Sequence, residues 1–196
     1  RLSLDDSLRQ YIPECPYLNI NIKQLLTHTS GLPDYMPVTN KIYEPEKEWW
    51  DYNRLVPNKD SVMNMFFTAH PEPSFKPGEK IEYSNTAYAL LAITIERISK
   101  QSFTDFMKEN IFDPLEMHNT QVLAYVPGDT TTIKNRAYGY WVKNKNTIHE
   151  AEHHYLNCMQ GEGGIYSNAP DLAKWDKALY TEKLVSKETL QEAFKG

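Results

Sequence analysis

The sequence predicts an α+β fold in which helix and loop dominate and β structure is confined to one small hairpin. Three observations carry this. Apolar residues recur at spacings of three and four in several separate stretches, the pattern of a helix with one or more buried faces. Strict apolar alternation occurs in one place, around Tyr138, Tyr140 and Val142. A chain of 196 residues, 40% of them hydrophobic, closes one sizeable core, burying roughly 70% of its unfolded surface, so residues 1–196 are expected to belong to a single domain.

The first helix is outlined by Asn21, Leu25, Leu26 and Gly31, an Asn near its start and a Gly just past its end. After the loop Leu32-Pro33-Asp34, residues 34–59 carry three Pro and the pair Trp49-Trp50 with neither hydrophobic period, which reads as a long irregular excursion. Asp60 is placed to cap a helix with Val62, Met63, Phe66 and Phe67 at helical spacing, ended by Pro71 and Pro73. The turn Pro77-Gly78 leads into a short extended stretch, Ile81-Glu82-Tyr83, which delivers the chain to a helix starting at Ser84. In that helix Ala87, Tyr88, Leu91, Ile95 and Ile98 are periodic. The positions between them, Leu90, Ala92 and Ile93, are also apolar, so most faces should be buried. Ser102 and Asp105 form a capping-box pattern for a further helix over Phe103, Phe106 and Met107, stopped by Pro114. A hairpin turns at Asn144-Lys145-Asn146 and returns through Thr147-Ile148. The last third gives a helix with Leu172, Trp175 and Leu179 on one face, then another starting at Ser186 and carrying Leu190 and Phe194.

Composition excludes some classes of function. The formal net charge is −5 and the 21 Lys and Arg are scattered, leaving no basic stripe for a nucleic acid. The longest apolar run, Ala87 to Ile95, falls far short of the roughly 20 residues that span a bilayer. Cys15 and Cys158 have no metal-type or redox-type spacing, and no cofactor is expected.

The tripeptide Tyr83-Ser84-Asn85 sets a phenol, a hydroxyl and an amide at an extended-to-helix junction. By itself it has two readings: Ser84 or Asn85 caps the helix while Tyr83 packs, or the three side chains converge on a cleft. A phenol titrates near 10 and serves as a base at neutral pH only where neighbouring cations depress its pKa. Its surroundings, the run Phe75-Lys76-Pro77-Gly78-Glu79-Lys80-Ile81-Glu82-Tyr83-Ser84-Asn85-Thr86-Ala87-Tyr88, resemble the middle motif of the class C β-lactamase and DD-peptidase family. Three more segments agree in order: Leu25-Leu26-Thr27-His28-Thr29-Ser30-Gly31-Leu32-Pro33, Ile111-Phe112-Asp113-Pro114-Leu115-Glu116-Met117, and the glycine-rich turn and helix from Gly161 to Trp175.

That resemblance implies a β-lactamase/DD-peptidase-like fold, of which this chain holds mostly the helical lobe. It implies a serine hydrolase acting through an acyl-enzyme on a small-molecule or peptidoglycan-type substrate, in the bacterial cell envelope, periplasmic or extracellular. Tyr83 would shuttle the proton of a nucleophilic Ser. Asn85 would hydrogen-bond the substrate amide and help hold a Lys, and Gly163 and Gly164 would let backbone approach the substrate. Their other reading is a tight turn. His28 is expected to be architectural rather than catalytic.

No Ser is followed three residues later by Lys, and neither Lys-Thr-Gly, His-x-Gly nor Gly-x-Ser-x-Gly occurs. Arg1 to Asp6 resembles the family's segment after the nucleophile helix, and Gly196 falls before its third-motif strand. The chain is therefore expected to be an incomplete part of the enzyme, inactive alone, with the nucleophile Ser and its Lys lying outside it. Two competing readings remain. His149-Glu150-Ala151-Glu152-His153 matches the His-Glu-x-x-His zinc pattern, with Glu182 as a distant third ligand, against a solvated strand end. Trp49, Trp50 and Tyr52 suit a non-catalytic binding module, although loop aromatics more often pack.

Overall fold

The computed structural model describes residues 2–43, 58–123, 133–145, 147–150 and 155–195. Its helices begin where short polar side chains can accept the first free backbone N–H groups. Helix α1 (Ile22–Leu26) opens with a reciprocal capping box: Asn21 Oδ1 accepts from Gln24 N at 2.8 Å, and Gln24 Oε1 accepts from Asn21 N at 3.0 Å. Helix α2 (Met36–Tyr43) follows, so the excursion expected over 34–59 holds a helix at its start. Pro37 is tolerated there because a first-turn residue has no intrahelical use for its N–H. Residues 44–57, with Trp49, Trp50 and Tyr52, lie outside the described residues.

Helix α3 (Lys59–Ala69) is capped by Asn58, whose side chain accepts from Ser61 N at 2.8 Å. The expected cap, Asp60, sits two residues further on, within the first turn, where its charge faces the positive helix end. Helix α4 (Asn85–Ser99) starts at Ser84 as expected, with Ser84 Oγ accepting from Ala87 N. Its residues Ala87, Ala89, Leu90 and Ile93 enter one buried cluster with Leu8, Ile12, Ile22 and Leu25, and with Val62, Met63 and Phe66 of α3. Ala92, on the opposite side, enters a second cluster with Phe103, Phe112, Leu115, Met117 and Val122. One helix thus serves two cores, which is why the positions between its periodic residues are apolar too. Leu90, Ala92 and Ile93 are in fact more deeply buried than Ile98, which is exposed.

Helix α5 (Phe103–Met107) packs beside α4, capped by Ser102, and widens into a π turn over Lys108–Phe112 before Pro114. Strand β1 (Gln121–Val122) pairs antiparallel with β4 (Ile165–Tyr166), and β2 (Tyr140–Asn144) pairs antiparallel with β3 (Thr147–Glu150) as the expected hairpin, with an irregularity between Val142 and Asn144. Helices α6 (Ala169–Ala178) and α7 (Lys187–Ala193) close the chain. The apolar stripe foreseen on α6 is not buried: Leu172 is 53% exposed and Trp175 is only partly covered, while Asp171 and Ala178 face inward. No helix among the described residues is long and apolar enough to cross a membrane.

Candidate active site

The segment that delivers the chain to α4 is held against the α1–α2 connection by backbone hydrogen bonds: Ser74 N to Gly31 O, Gly78 N to Thr29 O and Glu82 N to His28 O, at 2.8–2.9 Å. Gly31 makes this approach possible. Its φ is +72°, and a Cβ there would stand 2.1 Å from Phe75 O. The next link uses a side chain, Ser84 N donating to His28 Nδ1 at 3.2 Å. The His28 ring lies against both Tyr83 and Tyr88, with ring centroids 4.6 and 5.0 Å away. His28 thus receives the Ser84 N–H and braces Tyr83 itself.

Tyr83 is 66% exposed, and its hydroxyl donates to Asn85 Oδ1 at 3.2 Å. Asn85 is fixed from the other side: its Nδ2 donates to Asp34 Oδ2 at 2.7 Å and its backbone N to the same oxygen at 3.2 Å. Asp34 Oδ1 accepts from Met36 N at 3.0 Å, turning the chain into α2. Thr86 Oγ1 adds a bond to Pro33 O at 2.8 Å. The loop from Pro33 to Met36 is therefore fastened to the first turn of α4 at three points.

Asn85 lines a cleft of about 400 Å³ whose opposite side is the Glu162-Gly163-Gly164 turn. The turn is seated by Leu123 N donating to Gly164 O at 2.8 Å and by Gly161, at φ +98°, lying against Tyr88 O of α4. Gly164 has φ +83°, and a Cβ there would reach within 2.9 Å of Leu123 O, so a side chain is refused. Gly163 differs: no heavy atom of the described residues lies within 4 Å of where its Cβ would be. Among the described residues, a backbone group approaching the floor would meet no side chain there. Arg136, Leu156 and Tyr166 complete the walls, with Arg136 Nη2 donating to Tyr166 Oη at 2.7 Å.

Tyr35 spans the cleft, donating its buried hydroxyl to Glu162 Oε1 at 2.8 Å. Burial pushes the Glu162 carboxyl above its usual range against the opposing Tyr35 bond, and nearby Asp34 adds to the rise. Burial likewise raises the Tyr35 phenol, reinforced by Glu162. Glu162 Oε2 is buried without a hydrogen-bond partner among the described residues. Cys158 is buried, and desolvation pushes its thiol up to about 12, which leaves it without thiolate character at neutral pH.

The four residues singled out from sequence, Tyr83, Asn85, Gly163 and Gly164, are thus disposed around one cleft, with Tyr83 joined to it through Asn85. Sequence reasoning missed Asp34, Tyr35, Glu162 and Arg136. Glu162 stood in a motif segment and Asp34 directly after one, but their pairings join residues 51 and 127 positions apart. His149 and Glu150 lie in β3, opposite Trp141 and Tyr140. The zinc pattern needs both imidazoles on one helical face; His149 and Glu150 stand instead in a strand. His153 lies outside the described residues, and no grouping of three potential metal ligands occurs among those described.

Comparison with known proteins adds an independent line. The family model described as Beta-lactamase matches residues 1–196. The chain is 34% identical over 205 residues to penicillin-binding protein 4* of Bacillus subtilis, covering 98% of this chain and 43% of that protein. It is 34% identical over 131 residues to protein flp of Staphylococcus aureus, covering 61% of this chain and 23% of that protein. The chain therefore spans less than half the length of these relatives. Among solved structures, a penicillin binding protein from Bacillus halodurans superposes with a TM-score of 0.77 at 26% identity, over 97% of this chain and 55% of that one. A D-stereospecific amidohydrolase from Streptomyces sp. superposes with a TM-score of 0.79 over 99% of this chain and 58% of that one; at 23% identity this shows likeness of fold.

Proposed function

The chain belongs to the beta-lactamase family, and from that premise we propose that it forms the proton-shuttling and substrate-docking part of a serine hydrolase acting through an acyl-enzyme. The observation that carries this reading is the bond from Tyr83 Oη to Asn85 Oδ1, on the rim of a cleft whose far side is the open backbone of Gly163. In the reaction we propose, a Ser oxygen supplied by the rest of the enzyme attacks the substrate carbonyl carbon. Its proton passes to the Tyr83 oxygen and then to the leaving nitrogen or oxygen, and water hydrolyses the ester so formed. The phenol must first be ionised. It donates to Asn85 in this structure, so the required field comes from cations beside it, the Lys groups of the family's other motifs.

Asn85 offers a carbonyl to such a cation and an N–H to a substrate carbonyl, while Gly163 leaves the floor unobstructed. The substrate is a β-lactam, a D-amino-acid peptide or amide, or an ester, and the enzyme is placed in the bacterial cell envelope, periplasmic or extracellular. The test is a panel of a chromogenic β-lactam, a D-amino-acid amide and a D-amino-acid ester assayed on the full-length enzyme. Tyr83→Phe should lower kcat on the accepted substrate by about 10²–10⁴-fold with unchanged thermal unfolding. A fully active Tyr83→Phe enzyme would overturn the proton-shuttle role. The 196-residue chain alone should show no turnover above its own Tyr83→Phe control.

A further inference from the structure

We infer that Asp34 is a positioning residue that fixes which end of the Asn85 amide faces Tyr83. An Asn side chain is nearly symmetric in shape and reverses its chemistry when rotated by half a turn, presenting a donor where it had an acceptor. Something must therefore select the orientation. A carboxylate has no proton to give and can only accept. The Asn85 group 2.7 Å from Asp34 Oδ2 must then be the NH2, which leaves the carbonyl oxygen to receive the Tyr83 hydroxyl. With the amide reversed, two acceptor oxygens would stand at that distance in a partly buried setting, an arrangement strongly disfavoured by repulsion and lost hydrogen bonding.

A carboxylate that served only to turn the chain into α2 would need one oxygen, Oδ1, which accepts from Met36 N. Asp34 Oδ2 is given entirely to Asn85, taking both its backbone N–H and its side-chain N–H. The backbone bond anchors the start of α4, and the side-chain bond sets polarity. Charge assistance makes these bonds stronger than an amide acceptor would provide. The consequence for the cleft is definite: the Asn85 carbonyl points to Tyr83 and to any ammonium beside it. The second Nδ2 hydrogen is left for an acceptor such as a substrate amide carbonyl. The effect on turnover rests on the active-site reading above, whereas the orientation itself does not.

The chain as it stands allows the first test. In ¹H–¹⁵N spectra, Asp34→Asn should move the Asn85 side-chain NH2 signals and speed their exchange with water about tenfold or more; unchanged signals and exchange would overturn the inference. Should Asp34→Asn fail to fold, the double variant Asp34→Asn with Asn85→Asp decides the matter, since it restores a donor facing an acceptor. It should unfold at a higher temperature than either single variant, and a double variant no more stable than the weaker single one would overturn the inference. In the full-length enzyme, Asp34→Asn should lower kcat/KM about as much as Asn85→Ala, and the two changes together should cost no more than Asn85→Ala alone. Multiplying losses would overturn the positioning role. An Asn85→Ala enzyme with full activity would instead overturn the active-site reading, leaving the spectra to decide the orientation.

Discussion

Ser84 at the head of α4 and Ser186 at the head of α7 make the same bond, each hydroxyl accepting the backbone N–H three residues on. Both stand before a stretch with apolar residues at helical spacing. Around Ser84 the structure is closed: the serine itself is buried, and α4 contributes to two apolar clusters. Around Ser186 it is open, with no buried residue in α7 and Phe194 67% exposed, and on α6, its neighbour in the chain, Leu172 is exposed and Trp175 only partly covered. The two regions teach that a cap and a period specify a helix but not what covers it. Covering depends on how many other elements converge, and α1, α3 and α5 all converge on α4.

The sharpest break of this comparison is a pair of truncations. Leu90→Ala, at a fully buried position, should destabilise the chain by about 3–5 kcal/mol in urea unfolding. Leu172→Ala should change it by under ~1 kcal/mol, and equal losses would mean that the α6 face is covered after all. Next in size is Gly161→Ala, where φ is +98° and a Cβ would stand 2.4 Å from Tyr88 O on α4. A cost of about 2–3 kcal/mol is expected from left-handed backbone strain and overpacking, read from the same unfolding curves. The caps themselves should then separate. Ser84→Ala leaves an N–H unsatisfied in a buried setting and should cost about 1–2 kcal/mol, against about 0.5 kcal/mol for Ser186→Ala, where water replaces the hydroxyl.

A buried carboxylate and a half-buried one carry the comparison into pH. Burial disfavours the charged form of Asp171 on α6, yet bonds from Lys174, Asn119 N and Thr120 outweigh it and hold its carboxyl below the usual range. Its contribution is present above about 3.8 and is lost as pH falls through the lowered value. Glu162 on the cleft floor is shifted up by burial, with Tyr35 as its side-chain donor and Asp34 close by. The folded state therefore holds its proton longer than the unfolded state does. Stability should fall as pH rises from about 4.5 through the raised value. Glu162→Gln should remove that fall from the unfolding midpoint measured against pH, the smallest effect of the four; an unchanged slope would mean that Glu162 titrates as it does in the unfolded chain.

Much of this was legible in the residues. The Asn21 box, the Ser84 and Ser102 caps and the turn at Asn144 are signals spanning two to four residues, and each forms the element it foretells. The family was legible too, because its motifs are local runs. Less legible was α2, whose Pro37 and mixed polarity hide a helix begun by an Asp34 turn. Strands β1 and β4, two residues each, are too short to show a period. The cap of α3 was misplaced by two residues because Asn58 and Asp60 are equally competent acceptors and the first turn accommodates either.

Sequence alone determined where α1, α4, α5 and α7 start and that Tyr83 and Asn85 flank the head of α4, since bonds between residues a few positions apart need only local geometry. Tertiary structure alone decided that Asp34 holds the Asn85 amide, that His28 braces Tyr83, that Tyr35 reaches across to Glu162, and that α6 keeps its apolar face in the open. Such contacts depend on the angle and depth at which packed helices bring distant residues together, and no spacing along the chain encodes that.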